Sequence, residues 1–191
     1  MVKEPRAGRV KTRLGRDIGM ASAAAWFRSE SAALLRRVRD PRWRVVLAVS
    51  PDMQALHRQI WPADLPRIPQ GPGDLGRRMA RAMGQFRGPV CLIGADIPQL
   101  SRGHIARAFA ALRGHDAVFG PATDGGFWLV GLRRGGLARP RMFEGVRWST
   151  PDTLTESRAA LGHLRICLAD RLSDVDTAED LRALRKRDFC R

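Results

Sequence analysis

Short apolar runs alternate along this chain with stretches whose apolar residues recur at helical spacing. Residues 20–38 carry Ala24, Phe27, Ala32, Leu34, Leu35 and Val38 mostly on one side of a 3.6-residue period, which predicts a helix. Residues 43–49 form a β-branched run and predict a strand. A short helix is expected from Pro51-Asp52 through Ile60, stopped by Pro62. After the Gly71-Pro72-Gly73 turn, residues 74–86 predict a helix, residues 90–93 a buried strand, and residues 101–112 a helix capped by Ser101. Two further strands, 117–119 and 127–132, flank a Gly/Asp turn. Helices at 152–161 and 177–186 close the chain, with a strand at 164–168 between them. Strand–helix alternation of this kind implies an α/β fold, with a mostly parallel sheet and helices on both faces.

Length and composition narrow the picture. A chain of 191 residues with 44% apolar content can fold around a core of its own, and neither an internal repeat nor a linker divides it, so residues 1–191 read as one domain. No apolar stretch is long enough to span a bilayer, and the basic, polar N-terminus carries no secretory signal. The cysteines Cys91, Cys167 and Cys190 lack metal-type spacing; Cys91 and Cys167 read as buried small hydrophobes, in keeping with a reducing cytoplasm. The net charge of +15 raises the question of nucleic acid, but the arginines are scattered through nearly every segment. That distribution points to a solvated surface that attracts phosphate-rich small substrates, not to specific nucleic-acid binding.

The chemistry concentrates in a few positions. Asp96 ends the apolar run after Ile93 and is followed by Pro98, so it stands where open α/β sheets place their ligands. Hard cations such as Mg²⁺ or Mn²⁺ take oxygen ligands of this kind and share them with substrate phosphates. Asp174 and Asp176, two apart in an extended segment, point the same way and repel unless a cation lies between them. Thr177 and Asp180 offer a capping box that gives this segment a structural alternative. Near the N-terminus, Gly8 lets a basic loop bend and present Lys11 and Arg13 to phosphate; alone, the segment reads as a solvated basic terminus, and the other motifs turn it toward phosphate. Gly71, Gly73 and Gly76 surround Asp74 at a helix start, where an anion or base edge could bind, or where Asp74 simply caps the helix. Asp124, Gly125 and Gly126 form a turn by composition, and Asp124 could there bind acceptor hydroxyls or act as a base. In Trp148-Ser149-Thr150, Thr150 is a suitable N-cap ahead of Pro151, and Trp148 a candidate wall. The four histidines show no ligand spacing.

Taken in order, Lys3-x-Pro5-x-x-Gly8-x-x-Lys11-Thr12-Arg13-Leu14, Gly73-Asp74-Leu75-Gly76, Gly94-x-Asp96-x-Pro98, Gly120-Pro121-x-x-Asp124-Gly125-Gly126, Trp148-Ser149-Thr150 and Asp174-Val175-Asp176-Thr177-x-x-Asp180-Leu181 span nearly the whole chain. The series resembles a bacterial family of GT-A-like transferases, linked to nucleotide-diphospho-sugar and arsenosugar-biosynthesis glycosyl transfer and related to 2-phospho-lactate guanylyltransferase. The resemblance implies a single Rossmann-like GT-A domain. Its basic loop should follow a strand, yet only Met1 and Val2 precede Lys3, so the first strand is expected to be truncated to a stub, through a late start codon or a natural truncation.

The resemblance also implies roles. Gly8, Lys11, Arg13, Gly73, Asp74 and Gly76 would bind the nucleotide, and Asp96, Asp174 and Asp176 a divalent Mg²⁺ or Mn²⁺. Asp124, Gly125, Gly126, Trp148, Ser149 and Thr150 would face the acceptor, and Lys11, Arg13 and Asp124 would carry the chemistry. The expected reaction is metal-dependent transfer from a nucleoside-diphosphate sugar to a small-molecule acceptor. Nucleotidyl transfer from a nucleoside triphosphate to a phosphorylated acid is the near alternative, and a non-catalytic nucleotide-binding protein the alternative of another kind. The family usually has tyrosine after the Asp-Gly-Gly turn, where this chain has Phe127-Trp128 and no tyrosine at all.

Overall fold

The computed structural model describes residues 1–55 and 60–189. Seven strands and six α-helices are described: β1 Val2–Lys3, α1 Thr12–Ile18, α2 Met20–Arg37, β2 Leu47–Ser50, β3 Arg67–Pro69, α3 Leu75–Gly84, β4 Val90–Ile93, α4 Arg102–Ala111, β5 Ala117–Pro121, β6 Phe127–Leu132, α5 Thr153–Ala160, β7 Ile166–Leu168 and α6 Ala178–Phe189. A 3₁₀ turn at Asp52–Ala55 lies where the helix through Ile60 was expected; residues 56–59 of that segment, His57 included, lie outside the described residues, as does Cys190.

The strands form two ladders. The order β1-β2-β3 is parallel throughout, and the order β4-β6-β5-β7 places β6 antiparallel to both neighbours, with β7 parallel to β5. The Asp-Gly-Gly turn makes β5 and β6 a hairpin, which accounts for the antiparallel pairings in an otherwise parallel arrangement. Cores lie on both faces: on β5, Val118 packs in one apolar cluster while Ala117 and Phe119 pack in the other, as the period-2 geometry of a strand requires. Glycine at 120 is required by contact, since a Cβ there would stand 2.3 Å from the Trp128 ring.

Strand β1 is two residues long, Val2–Lys3. Val2 pairs with Val49 and Lys3 with Ser50, and the Met1 amino group donates to the Ile93 carbonyl of β4. Among the described residues that Met1 bond is the backbone link between the two ladders. Beside it, between β2 and β4, lies an apolar cavity of about 110 Å³ lined by Met1, Val46, Ala48, Cys91 and Ile93 among others. Burial pushes the Cys91 thiol up to about 12, so it behaves as the inert hydrophobe expected. Gln70, immediately after β3, braces the parallel ladder: its Nε2 donates to the carbonyls of Val2 on β1 and Ala48 on β2, each at 2.9 Å.

Two expectations need correction. The basic segment is not a loop through Leu14: helix α1 begins at Thr12, and its short Leu14/Ile18 stripe packs toward α6. Thr150 is not the cap of α5. That helix starts at Thr153 with Asp152 at the N-cap, and Thr150 lies in the preceding turn, its N–H donating to Thr153 Oγ1.

Candidate functional site

A cleft opens where Lys3, Ser50, Gln70 and Gly94 leave the carboxyl ends of β1, β2, β3 and β4, the place where parallel strands leave backbone groups free for ligands. It consists of two adjoining cavities. The larger, about 790 Å³, is lined by Lys3, Arg9, Lys11, Arg13 and Arg78, with Asp96, Asp124 and Asp176. The smaller, about 240 Å³, has Met79, Phe127, Trp128 and Trp148 as apolar wall and Asp96, Asp124 and Asp174 as its charged side chains; no lysine or arginine lines it among the described residues. Leu75, Gly94, Asp96, Asp124, Ser149 and Thr150 border both. The cleft is thus cationic at one end and anionic at the other, with Asp96 on the divide.

Lys11 is the centre of the charged network. It occupies the residue before α1 with left-handed backbone angles, φ 46° and ψ 48°. Its Nζ lies 2.5 Å from Asp96 Oδ2 and 2.6 Å from Asp176 Oδ1, with the side chain only 5% exposed. Burial opposes the ammonium charge, but the two carboxylates together outweigh it and hold the Lys11 pKa above its ordinary value. Arg13, on the first turn of α1, reaches to 3.6 Å of Asp176 and is mostly exposed to the cleft.

The segment after β7 separates the roles of its acids. Asp180 Oδ2 accepts from the N–H groups of Asp176 and Thr177 and from Thr177 Oγ1, while Thr177 Oγ1 accepts from the Asp180 N–H. Capping of α6 is therefore met by Thr177 and Asp180, and the Asp176 carboxylate is free for Lys11. Asp174 lines the smaller cavity and Asp176 the larger, so the pair serves one cleft from its two ends. Asp174 is pushed up to about 6, first by burial and then by the charges of Asp176 and Asp124.

This shift has a sign that can be checked. A carboxyl whose folded pKa is raised binds its proton more tightly folded than unfolded, so stability falls as pH rises from about 4 through about 6. Asp174→Asn, in protein without metal, is expected to be more stable than the parent at pH 8 by about 1 kcal/mol, discounted for partial exposure, with the difference fading at pH 4. Thermal denaturation at the two pH values checks it; a loss of stability at pH 8 would mean that Asp174 has a stabilising partner.

On the acceptor-side segments, Asp124 Oδ1 accepts from the Gly126 N–H at the tip of the β5–β6 hairpin, and the Leu154 N–H donates to the Gly125 carbonyl, tying that tip to α5. Trp148 packs edge-on against Phe143 and Phe127. Ser149 adopts φ 61° and borders both cavities.

The glycines expected at the nucleotide divide differently. Asp74 caps α3, accepting from the Arg77 N–H at 2.8 Å. Gly76 faces Phe143 and Trp148, each only 2.8 Å from where a Cβ would stand, so its bareness serves helix packing. From α3 it is Leu75 and Arg78 that reach the larger cavity. Gly8 has φ 71° and open space around it, so it permits the turn and no close contact. Arg78 and Gln70 line the cavity without having stood out in the sequence, since no motif marks them, and Phe27, expected only on the apolar stripe of α2, lines it too.

Residues 33–150 match the DUF2064 family, described as an uncharacterized protein conserved in bacteria. The chain belongs to this family. It is also similar to the crystal structure of a "putative nucleotide-diphospho-sugar transferase" from Desulfovibrio desulfuricans G20, with 31% identity and a TM-score of 0.80 over 96% of this chain and 83% of that one. No curated protein matches it. The DUF2064 chain thus shares the fold of a nucleotide-diphospho-sugar transferase-like protein, as its motif series implied. No helix among the described residues is long and apolar enough to cross a membrane.

Whether the aspartates suit a divalent cation can be tested on the donor set. Among the described residues no three Asp, Glu, His or Cys side chains form a closed ligand group. Asp96 and Asp176, however, already converge on one positive charge, and Asp174 is pushed up in part by neighbouring carboxylates. Converging carboxylate oxygens with surplus negative charge are the chemistry a hard cation takes, so the residues fit.

Proposed function

We propose that this DUF2064 protein is a transferase that takes a nucleoside-diphosphate sugar as donor, depends on Mg²⁺ or Mn²⁺, and passes the sugar to a small acceptor bearing a hydroxyl or amine. The observation that carries the reading is the division of the cleft. A diphosphate suits the end with Arg9, Arg13 and Arg78, and an uncharged sugar and acceptor suit the end walled by Phe127, Trp128 and Trp148. The similarity to the Desulfovibrio protein supports the same donor class.

Asp96 and Asp176, with Asp174 beside them, would hold the metal; when bound, it supplies stabilisation of the charge that develops on the departing diphosphate. Arg13 lends its guanidinium to the same phosphates. Asp124, at the divide and exposed at the hairpin tip, would accept the acceptor's proton.

Nucleotidyl transfer to a phosphorylated acid is the second reading, favoured by the basic segment carrying Lys11 and Arg13. It asks the smaller cavity to receive an anion, where the charged side chains are three aspartates. A binding panel distinguishes the readings, because ligands of the native state raise the melting temperature. Nucleoside-diphosphate sugars are expected to do so in the presence of Mn²⁺ or Mg²⁺, and incubation with candidate acceptors to release the nucleoside diphosphate. Consumption of a nucleoside triphosphate with release of pyrophosphate would replace the first reading with the second. Stabilisation without turnover of either would leave a nucleotide-binding protein.

A further inference from the structure

We propose that Lys11 occupies the metal's seat in the metal-free protein and leaves it when the metal binds, so that one cation is exchanged for the other. The inference rests on the metal reading above and adds to it a role for this side chain. Three observations support it. The Lys11 ammonium sits within 2.6 Å of one oxygen on each of Asp96 and Asp176, the two carboxylates that converge on a common point. A divalent ion bound to both at ordinary ligand distances would lie almost on Nζ, so the two cations exclude each other by size as well as by charge. The lysine is also held under backbone strain: it is one of only two non-glycine residues with positive φ among those described, the other being Ser149 across the same cleft.

The alternative place for the ammonium is close at hand. Lys11 also borders the larger cavity, where Arg9 and Arg13 stand, and its four-carbon stem allows the head to turn through that space without moving α1. There it would meet the donor's phosphates. Metal entry thereby delivers a positive charge to the diphosphate, and metal and donor bind cooperatively because each provides what the other's binding uncovers. Without donor, the metal has to displace an ion pair that is only 5% exposed on the lysine side, so its affinity alone is low.

Titration with Mn²⁺ alone, read by electron paramagnetic resonance of the free ion, tests the exchange on the full chain. The parent is expected to bind weakly, K11M at least tenfold more tightly, and D96N more weakly than either. K11Q repeats the test with a polar side chain should K11M fold poorly. A second readout needs no variant. The chain has only three lysines, Lys3, Lys11 and Lys186, so amine acylation can be followed site by site. Saturating Mn²⁺ is expected to raise the acylation rate of Lys11 several-fold while that of Lys3 stays level. Equal Mn²⁺ affinity in parent and K11M, or unchanged Lys11 acylation with the metal bound, overturns the exchange and leaves the metal reading standing. No Mn²⁺ binding by either protein overturns both.

Discussion

Replacing Asp96 with alanine is expected to remove the metal-dependent rise in melting temperature and to lower turnover by about 10²–10³-fold, the scale at which a single charge-stabilising group acts in a transition state. Among the described residues Asp96 is the carboxylate that both borders the two cavities and reaches Lys11, at 2.5 Å. The same change leaves the buried ammonium with Asp176 as its remaining partner. The stability cost should therefore stay below the about 3–5 kcal/mol seen when a buried charge loses all compensation. Donor titrations with and without Mn²⁺, with circular dichroism to show that the fold persists, separate the two effects. A variant that keeps its metal-dependent shift would remove Asp96 from the metal site.

Gly125→Ala is expected to be the most damaging single methyl in the site. Gly125 has φ 89°, and a Cβ there would lie 2.1 Å from the Pro151 carbonyl oxygen and 2.5 Å from its Cα, backbone atoms that cannot swing aside. Strain of about 1–2 kcal/mol for the left-handed backbone adds to about 1–3 kcal/mol for overpacking. A loss near 3 kcal/mol corresponds to a fall of roughly 6–12 °C in melting temperature for a domain of this size. Asp124 should move with the hairpin tip, so acceptor use falls more than donor binding does. Gly136→Ala is the control, because a Cβ at Gly136 meets nothing within 4 Å. Calorimetry on the two variants decides it; near-equal melting temperatures would show that the tip is not pinned against α5.

The sequence was most legible where local pattern and packing agree. The α2 expectation of 20–38 met a helix at Met20–Arg37, and β4 fell on Val90–Ile93 as expected, because a long amphipathic stripe and a short apolar run between turns each leave one solution. Helix α1 escaped because Leu14 and Ile18 are its only large apolar residues, too few for a period, and Gly15 sits in its middle. Strand β3 is three residues with prolines at 66 and 69, too short and too proline-rich to show a strand pattern. Val45 and Val46 have strand composition but no ladder partner, because β2 begins at Leu47; pairing belongs to the neighbour, and one sequence segment does not record it.

The candidate site was legible in its residues more than in their relations. Lys11, Arg13, Asp96, Asp124, Asp174 and Asp176 line one cleft from segments as much as 165 residues apart. The direct bond from Lys11 to the aspartates was not foreseen, since charge type pointed the lysine to phosphate and the carboxylates to metal. Gly76 looked like a nucleotide glycine and proved to be a packing glycine, because the aromatic side chains that require it lie some 70 positions downstream.

The brevity of β1 bears on how firmly the two ends of the cleft are set against each other. A backbone ladder fixes angle and register together, whereas side-chain packing tolerates small rotations. β1 pairs only within the parallel ladder, and among the described residues the Met1–Ile93 bond is the backbone link to the other ladder, beside apolar packing shared by both. Lys11 follows from the first ladder and Asp96 from the second. Their ion pair is therefore a tie between the two ladders, made by side chains where the backbone offers little.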